Sequence, residues 1–454
     1  MRTVSRPTAI TAVAIVAVVA SIPAQATTGA RAASVARNPG DPAYITHLRT
    51  GSLGHVWTGT HEVSFTNLDT APLDTIYLRL WSNGVQGCHQ PRDAIEISDL
   101  QGGTASEMLD CTELQVVLDA PLAPSGRATL TMHLRIEVPA INDRFGFHGG
   151  LSLMGTALPT LEVHDETWHH DPFIDLGESF YSIVGRYGVT LDTPESLDTP
   201  ATGVVVSRST PEPGRTATTY VARDVRDFEW AAGHLRRVVG TSYDTRIVVS
   251  YRSDLESTSA ALRALRNAER SMDTFSAAFG QFPYPEMDVV LTRFTSFSGM
   301  EYPTVIFTNP DRFTVSHELA HQWWYGIVGD DQFAEPWLDE SFATWSQYLP
   351  FGAWKNCRRY DFPGSGARIT NDMAYWFAHP GQYDTIYGGG GCLLANLAHR
   401  FGLERFVRIL GRYAGRHWLG VARTPEFKAA IEHAVAKHLP GLDMEAYWDT
   451  WRVG

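Results

Sequence analysis

The chain lacks the marks of a nucleic-acid binder, a membrane protein or a cysteine-held metal site. Its 37 Lys and Arg are outnumbered by 50 Asp and Glu, a formal net charge of -13. An acidic balance repels phosphate backbones and excludes a nucleic-acid partner. Only four cysteines are present, Cys88, Cys111, Cys357 and Cys392, and none stands in CxxC spacing. That argues against a cysteine zinc site. No internal repeat occurs, and the only biased segment is "TTGARAASVARNPGD". What remains, 44% hydrophobic and 19% charged residues over 454 positions, describes a globular chain long enough for more than one core.

The N-terminus has the form of a secretory signal peptide. "MRTVSRPTA" carries two arginines and no acid, "ITAVAIVAVVASI" is apolar over Ile10–Ile22, and "AQA" offers small residues at Ala24–Ala26. The apolar run is too short to span a bilayer comfortably, and no long apolar run follows. Residues 1–26 are therefore expected to be removed, giving a secreted protein without a membrane association. Export favours disulfides. Four cysteines allow three pairings; the expected one is Cys88–Cys111 with Cys357–Cys392, which keeps each bridge within one domain.

An α+β chain is expected. Residues 27–41 read as a flexible tail. Residues 42–237 read as a β-sandwich-like domain, because "ATLTMHLRIEV" alternates apolar Leu130, Met132, Leu134 and Ile136 with polar neighbours, and "TIYLRLW" repeats the pattern. Such alternation is that of half-buried strands. From 238 to 454 the texture is mostly helical. "SDLESTSAALRALRNAERSMDTFSAAFG" suggests a capping box from Ser253 to Glu256, then Leu262, Leu265, Ala268, Met272, Phe275 and Phe279 at helical spacing. "MDVVLTRF" and "PTVIFTN" read as short strands.

The chemistry is concentrated in "HELAHQWWYGIVGDDQFAEPWLDES", His317 to Ser341. Residues four apart share a helical face, so His317 and His321 can offer two imidazoles to one ion. Glu318 is placed to reach the ion's open position. A catalytic zinc takes three protein ligands and leaves one position for water. Glu340, in "PWLDESFATWSQYL", can supply the third from a second helix that begins at Pro336. By themselves a chance HExxH and a solvated helical glutamate are both ordinary features; the combination with this spacing is not.

At this point the chain resembles the zinc aminopeptidases of the aminopeptidase N type, among the gluzincins. That family's pattern is HExxH, eighteen residues, then Glu in a WLNEGFA-like stretch, here "HELAH" and "WLDESFATW". Upstream, "SGMEYP" (Ser298–Pro303) matches the GAMEN or GGMEY strand that borders the family's cleft. "LPTLEVHDETWHHDPFIDLGESFYSIVGRYGVTLDTP" is similar to the N-terminal domain of short bacterial members. The resemblance implies a thermolysin-like catalytic domain without the large helical C-terminal domain. It implies one zinc per chain on His317, His321 and Glu340, with Glu318 as general base. Gly299, Met300 and Glu301 would bind substrate, Glu301 holding the free α-amine of a peptide. The family tyrosine that donates to the oxyanion maps onto Tyr387, with Tyr383 as its rival. Glu335 would stand behind the metal ligands.

Some positions depart from the pattern. Asp339 and Ser341 replace the common Asn and Gly, and "YGGGGCLL" lacks the Glu-Lys pair that usually follows the tyrosine. No residue of the N-terminal half is identifiable as the family's second amine ligand. His164, His169 and His170 have no spacing tied to a carboxylate and are read as carrying no second metal. Two other functions would fit a similar site. A thermolysin-like endopeptidase would ignore the amine, and a zinc-stabilised binding protein would have no use for Glu318. A side activity on epoxides, the preferred N-terminal residue and the oligomeric state are not legible.

Overall fold

The computed structural model describes residues 37–454, apart from 90 and 354–356. The expected signal peptide and residues 27–36 of the expected tail lie outside the described residues. The end of that tail does not behave as one. Gly40–Thr50 is a strand, and Asn38 is tied to His164 by backbone hydrogen bonds and to Asp69 by its side chain, at 2.8 Å.

Among the described residues, the N-terminal half builds three sheets. A seven-stranded sheet runs, in spatial order, Val204–Ser209, Arg215–Val225, Gly185–Pro194, Gly40–Thr50, Val56–Thr66, Arg127–Glu137 and Ile95–Gln101. It faces a four-stranded sheet of Thr160–Leu161, Leu73–Arg79, Glu113–Leu122 and Gly103–Met108. The alternation read in Arg127–Glu137 is what buries Leu130, Met132, Leu134 and Ile136 in the core between them, against Trp57, Ile76, Leu78 and Val116. Phe145–His148, Leu151–Met154 and Trp230–Gly233 form the third sheet.

The C-terminal half begins slightly before position 238. Arg236–Ser242 already pairs with Thr245–Tyr251, and these join Glu286–Leu291, Val305–Thr308 and the edge strand Gly299–Met300. The helices are α1 (Thr258–Phe279), α2 (Arg312–Ala320), α3 (Trp337–Ser346), α4 (Met373–Ala378), α5 (Gly390–Phe401), α6 (Leu403–Arg416), α7 (Thr424–His438) and α8 (Met444–Trp451), of which α1 and α2 pack on this sheet. Helix α1 starts later than the Ser253–Glu256 pattern suggests. Ser257 is its cap, accepting from the Ala260 amide, because Glu256 is instead buried in an ion pair with Arg293. Leu262 is exposed, and Ala261 and Ala264 take the core-facing positions beside Leu265, Ala268 and Met272.

The two halves are locked together. Trp81, Leu151, Leu153 and Phe180 share an apolar cluster with Val290, Met300, Tyr302 and Phe307. Arg226, at the end of a strand in the first half, donates to the Ser182 and Tyr325 carbonyls at 2.6 Å and to that of Gly420 at 2.5 Å. A Cβ on Gly329 would sit 2.1 Å from the Arg226 guanidinium carbon, so only glycine lets the chain pass there.

Candidate metal centre

Helix α2 is started by Asp311, whose carboxylate accepts from the Phe313 and Thr314 amides. His317 and Glu318 occupy its last turns, and His321 caps its C-terminus. Helix α3 brings Glu340 against them. Nε2 of His317 lies 3.0 Å from Oε2 of Glu340 and 3.0 Å from Nε2 of His321, and His321 Nε2 is 3.5 Å from the same Glu340 oxygen. A tetrahedral ion bound at about 2.0–2.2 Å holds its ligand atoms roughly 3.3–3.6 Å apart. Two imidazole nitrogens and one carboxylate oxygen are thus preset for zinc, with a small adjustment.

Behind the ligands stands Asp339. One of its oxygens takes the Nδ1 hydrogen of His321, a hydrogen shared with the Trp324 carbonyl at 3.2 Å, and the other accepts from Gln332 Nε2. This fixes the tautomer that leaves Nε2 free for a metal. The Asp in place of the common Asn therefore has a job, orienting a ligand. Glu335 does not share it: its carboxylate accepts from the Thr424 amide at 2.9 Å and starts α7.

Glu318 is buried beside the triad. Burial, with Glu340, Glu178 and Asp339 nearby, raises its carboxyl well above the usual range against the pull of His321. A bound cation would act in the opposite direction. Gly299 presses on it from the edge strand, where a Cβ would stand 2.2 Å from the Glu318 carboxylate. Glycine is required there for close approach.

Successive strand residues face opposite ways. Gly299 and Glu301 thus border the site, while Met300 turns into the interdomain core with no exposed surface. The resemblance places Met300 among the substrate-binding residues; with its side chain buried, only its backbone can face the site. Glu301 has ligand atoms within 4.8 Å of those of Glu318 and His321. Its Oε1 is buried and has no hydrogen-bond partner among the described residues. Gln322, next to His321, fixes this stretch: its Nε2 donates to the Glu301 and Tyr302 carbonyls at 2.9 and 3.1 Å, and its Oε1 accepts from the Thr304 amide at 2.9 Å.

The first half contributes Glu178, which the sequence did not single out. It is buried, accepts from Arg144 Nη1 at 2.9 Å, and exerts the largest charge effect on Glu301. Arg144 is held over the rings of Phe297 and Trp81, at 5.0 and 5.8 Å from their centroids. Nothing in "DLGESF" hints at this role, because only the docking of the two halves creates it.

Tyr387 lies in a π-helical turn, Thr385–Gly389, and its hydroxyl donates to Glu340 Oε1 at 2.6 Å. Tyr383 packs edge-on against Tyr387, with ring centroids 5.6 Å apart, and its buried hydroxyl lies against Gly177, next to Glu178, where a Cβ would be 1.8 Å off. The glycines that weaken the start of α5 have a steric purpose. A Cβ on Gly390 would meet Ser341 Oγ at 1.8 Å, and one on Gly391 would meet Thr344 Cγ2 at 3.0 Å. The turn bearing Tyr387 thereby lies directly on the helix bearing Glu340. Disulfides join Cys357 to Cys392 at the start of α5 and Cys88 to Cys111 in the first half.

Comparison with known proteins places this site in a family. Residues 263–451 match the model described as "Peptidase family M1 domain". The part of the chain that holds the site is thus similar to that family's domain. All of Glu301, His317, Glu318, His321, Glu340 and Tyr387 fall within the matched stretch. Aminopeptidase M1-B of Oryza sativa subsp. japonica is 27% identical over 218 residues, 41% of this chain and 25% of that one. Aminopeptidase 2, mitochondrial, of Saccharomyces cerevisiae is 26% identical over 217 residues, 40% and 22% of the two chains. The chain thus spans about a quarter of the length of these relatives. The fold is similar to that of a solved structure over nearly its whole length: the crystal structure of an M1 zinc metallopeptidase from Deinococcus radiodurans superposes with a TM-score of 0.64 at 18% identity, covering 94% of this chain and 95% of that one. A mutant of that protein bound to a Tyr-ser-ala substrate gives 0.63.

A second group of possible metal ligands, His169, Asp171 and Asp331, comes together between the halves. His169 has both ring nitrogens engaged, Nε2 with Asp165 at 2.8 Å and Nδ1 with Asp331 at 3.3 Å. Arg423 donates to Asp165 at 2.7 Å. This is an ionic clasp across the domain junction, in which a protonated His169 is satisfied without an ion.

Proposed function

We propose that the protein is an exported zinc aminopeptidase that removes N-terminal residues from peptides. The observation that carries the reading is the orphaned, buried oxygen of Glu301 beside Glu318 and His321. A buried carboxylate left without a donor is costly, and the ammonium of a peptide N-terminus would satisfy it. Glu178 offers a second carboxylate to the same cation from the first half of the chain.

His317, His321 and Glu340 would hold zinc, which supplies Lewis acidity and activates water near neutral pH. Glu318 accepts a proton from the attacking water and delivers it to the leaving amine. Tyr387 donates to the oxygen on which charge develops. Glu301 and Glu178 fix the ammonium and so set the distance from the N-terminus to the bond that is cut. Export is supported by the character of the N-terminal segment and by the two disulfides.

The test is a panel of aminoacyl-coumarins beside their N-acetylated forms, with and without a chelator. Only free amines should be cleaved, and zinc should restore chelated enzyme. Efficient internal cutting of acetylated peptides would favour an endopeptidase, and zinc-loaded protein inert on every substrate would favour a binding protein.

A further inference from the structure

Arg144 is a buried cation to which the reaction above gives no part. It stands directly before the strand Phe145–His148 of the third sheet. Its backbone is fixed at both ends: the amide donates to Asp143 Oδ1 at 2.6 Å, and the carbonyl accepts from the Gly155 amide at 3.0 Å. Its guanidinium lies over Trp81 of the first half and Phe297 of the second. Phe297 is held in turn by Phe294, with ring centroids 4.3 Å apart, and precedes Gly299 by two residues. Two rings from two halves of the chain therefore set the plane of one cation.

That plane is aimed at Glu178. Nη1 donates to Glu178 Oε1 at 2.9 Å, and both side chains are only 9% exposed. The segment that carries Glu178 is pinned on either side. The Trp81 indole donates to Ser179 Oγ at 2.9 Å, and Gly177 lies under the Tyr383 hydroxyl. Glu178 is also the charge that Glu301 feels most strongly. Two buried carboxylates so placed repel each other, and a buried charge without a partner is costly. With Arg144 between the cores, Glu178, Glu301 and Arg144 together carry one net negative charge, which matches one ammonium.

We propose that Arg144 is a positioning residue for substrate binding: acting through Glu178, it holds that carboxylate beside Glu301 so that the two share the peptide ammonium. The amine site is then completed by the docking of the two halves, because the rings that orient Arg144 come from both. The proposal rests on the aminopeptidase reading and deepens it.

The experiment is a double-mutant cycle in the intact chain, on the aminoacyl-coumarin that is best cleaved. Arg144→Gln and Glu178→Gln should each raise KM by about tenfold, the worth of one charge-assisted hydrogen bond, with kcat within about threefold of the parent. In the Glu178→Gln background, Arg144→Gln should change KM by less than about twofold, because no carboxylate is left to position. Arg144→Lys, which keeps the charge and loses the planar fork, should fall between parent and Arg144→Gln. Removing one member of a buried pair can unfold a protein, and the double variant avoids this by leaving no unpaired ion; if only it folds, it should still show the raised KM. Three results overturn the proposal: a parental KM in Arg144→Gln or in the double variant, an equal Arg144→Gln effect in both backgrounds, or a loss confined to kcat. If the parent cleaves free-amine coumarins and one of these results appears, only this proposal fails; if the parent cleaves none, the aminopeptidase reading fails and takes the proposal with it.

Discussion

Replacing Gly299 by alanine probes the closest approach in the site. The added methyl would stand 2.2 Å from Oε1 of Glu318, 2.4 Å from its Cδ and 2.6 Å from its Cγ, where ordinary contact begins at 3.4 Å. The backbone does not give way easily, since Gly299 is hydrogen-bonded in a strand against Thr308. Glu318 must yield, and its carboxylate has to move by about 1 Å to clear the methyl. A displacement of that size in a reacting group costs on the order of 10²-fold in rate. The backbone accepts alanine, because Gly299 is not in a left-handed conformation, so the strain falls on the Glu318 side chain and not on the fold. We therefore expect Gly299→Ala to bind one zinc, to melt within a few degrees of the parent, and to lose about 10²-fold in kcat on an aminoacyl-coumarin. Glu318→Gln, which removes the base without crowding it, should also keep zinc and should lose about 10²–10⁴-fold. A Gly299→Ala enzyme within about threefold of the parent kcat would refute the reasoning, since the base would then tolerate displacement or lie elsewhere.

Other consequences follow from the same geometry. Tyr387→Phe should lower kcat by about 10²-fold with zinc retained, and Tyr383→Phe should be milder; stopped assays on both decide which hydroxyl faces the oxyanion. The Cys357–Cys392 bridge closes a loop of 35 residues, so the double serine variant should lose roughly 3–4 kcal/mol in the chain-entropy model, read by denaturant unfolding, with kcat falling as the Tyr387 turn loosens. His169 is opposed by its burial, but Asp331 and Asp165 together push it up from 6.5 to about 9. Its folded value exceeds its unfolded one, so the clasp's stabilisation is complete below about pH 6.5 and is lost as pH rises through about 9. Melting temperatures across that window should fall more steeply for the parent than for His169→Gln, and parallel curves would remove His169 from the clasp.

The local patterns in this chain carry local information, and they are legible where a period or a spacing is enough. Alternation marked Arg127–Glu137 as a strand, and the four-residue step of HELAH put His317 and His321 on one face. Where several local options compete, the sequence is less decisive. Ser253–Glu256 has the look of a helix start, yet Ser257 caps α1, because burying Glu256 against Arg293 is a tertiary event. Met300 sits in a motif associated with substrate, yet the pleat of its strand points it into the core.

By itself the sequence determined that His317, His321 and Glu340 form one candidate ligand set, that Glu318 and the strand bearing Glu301 stand beside it, and the α+β order of the two halves, because each depends on residues close along the chain or on one fixed interval. Only the tertiary structure decided which tyrosine reaches Glu340, why glycines stand at the start of α5, and that Glu178 and Arg144 border the site. Those facts depend on distances between elements far apart in sequence, set by how helices pack within the second core and, for Glu178 and Arg144, by how the two halves dock, and no period or spacing along the chain encodes such a distance.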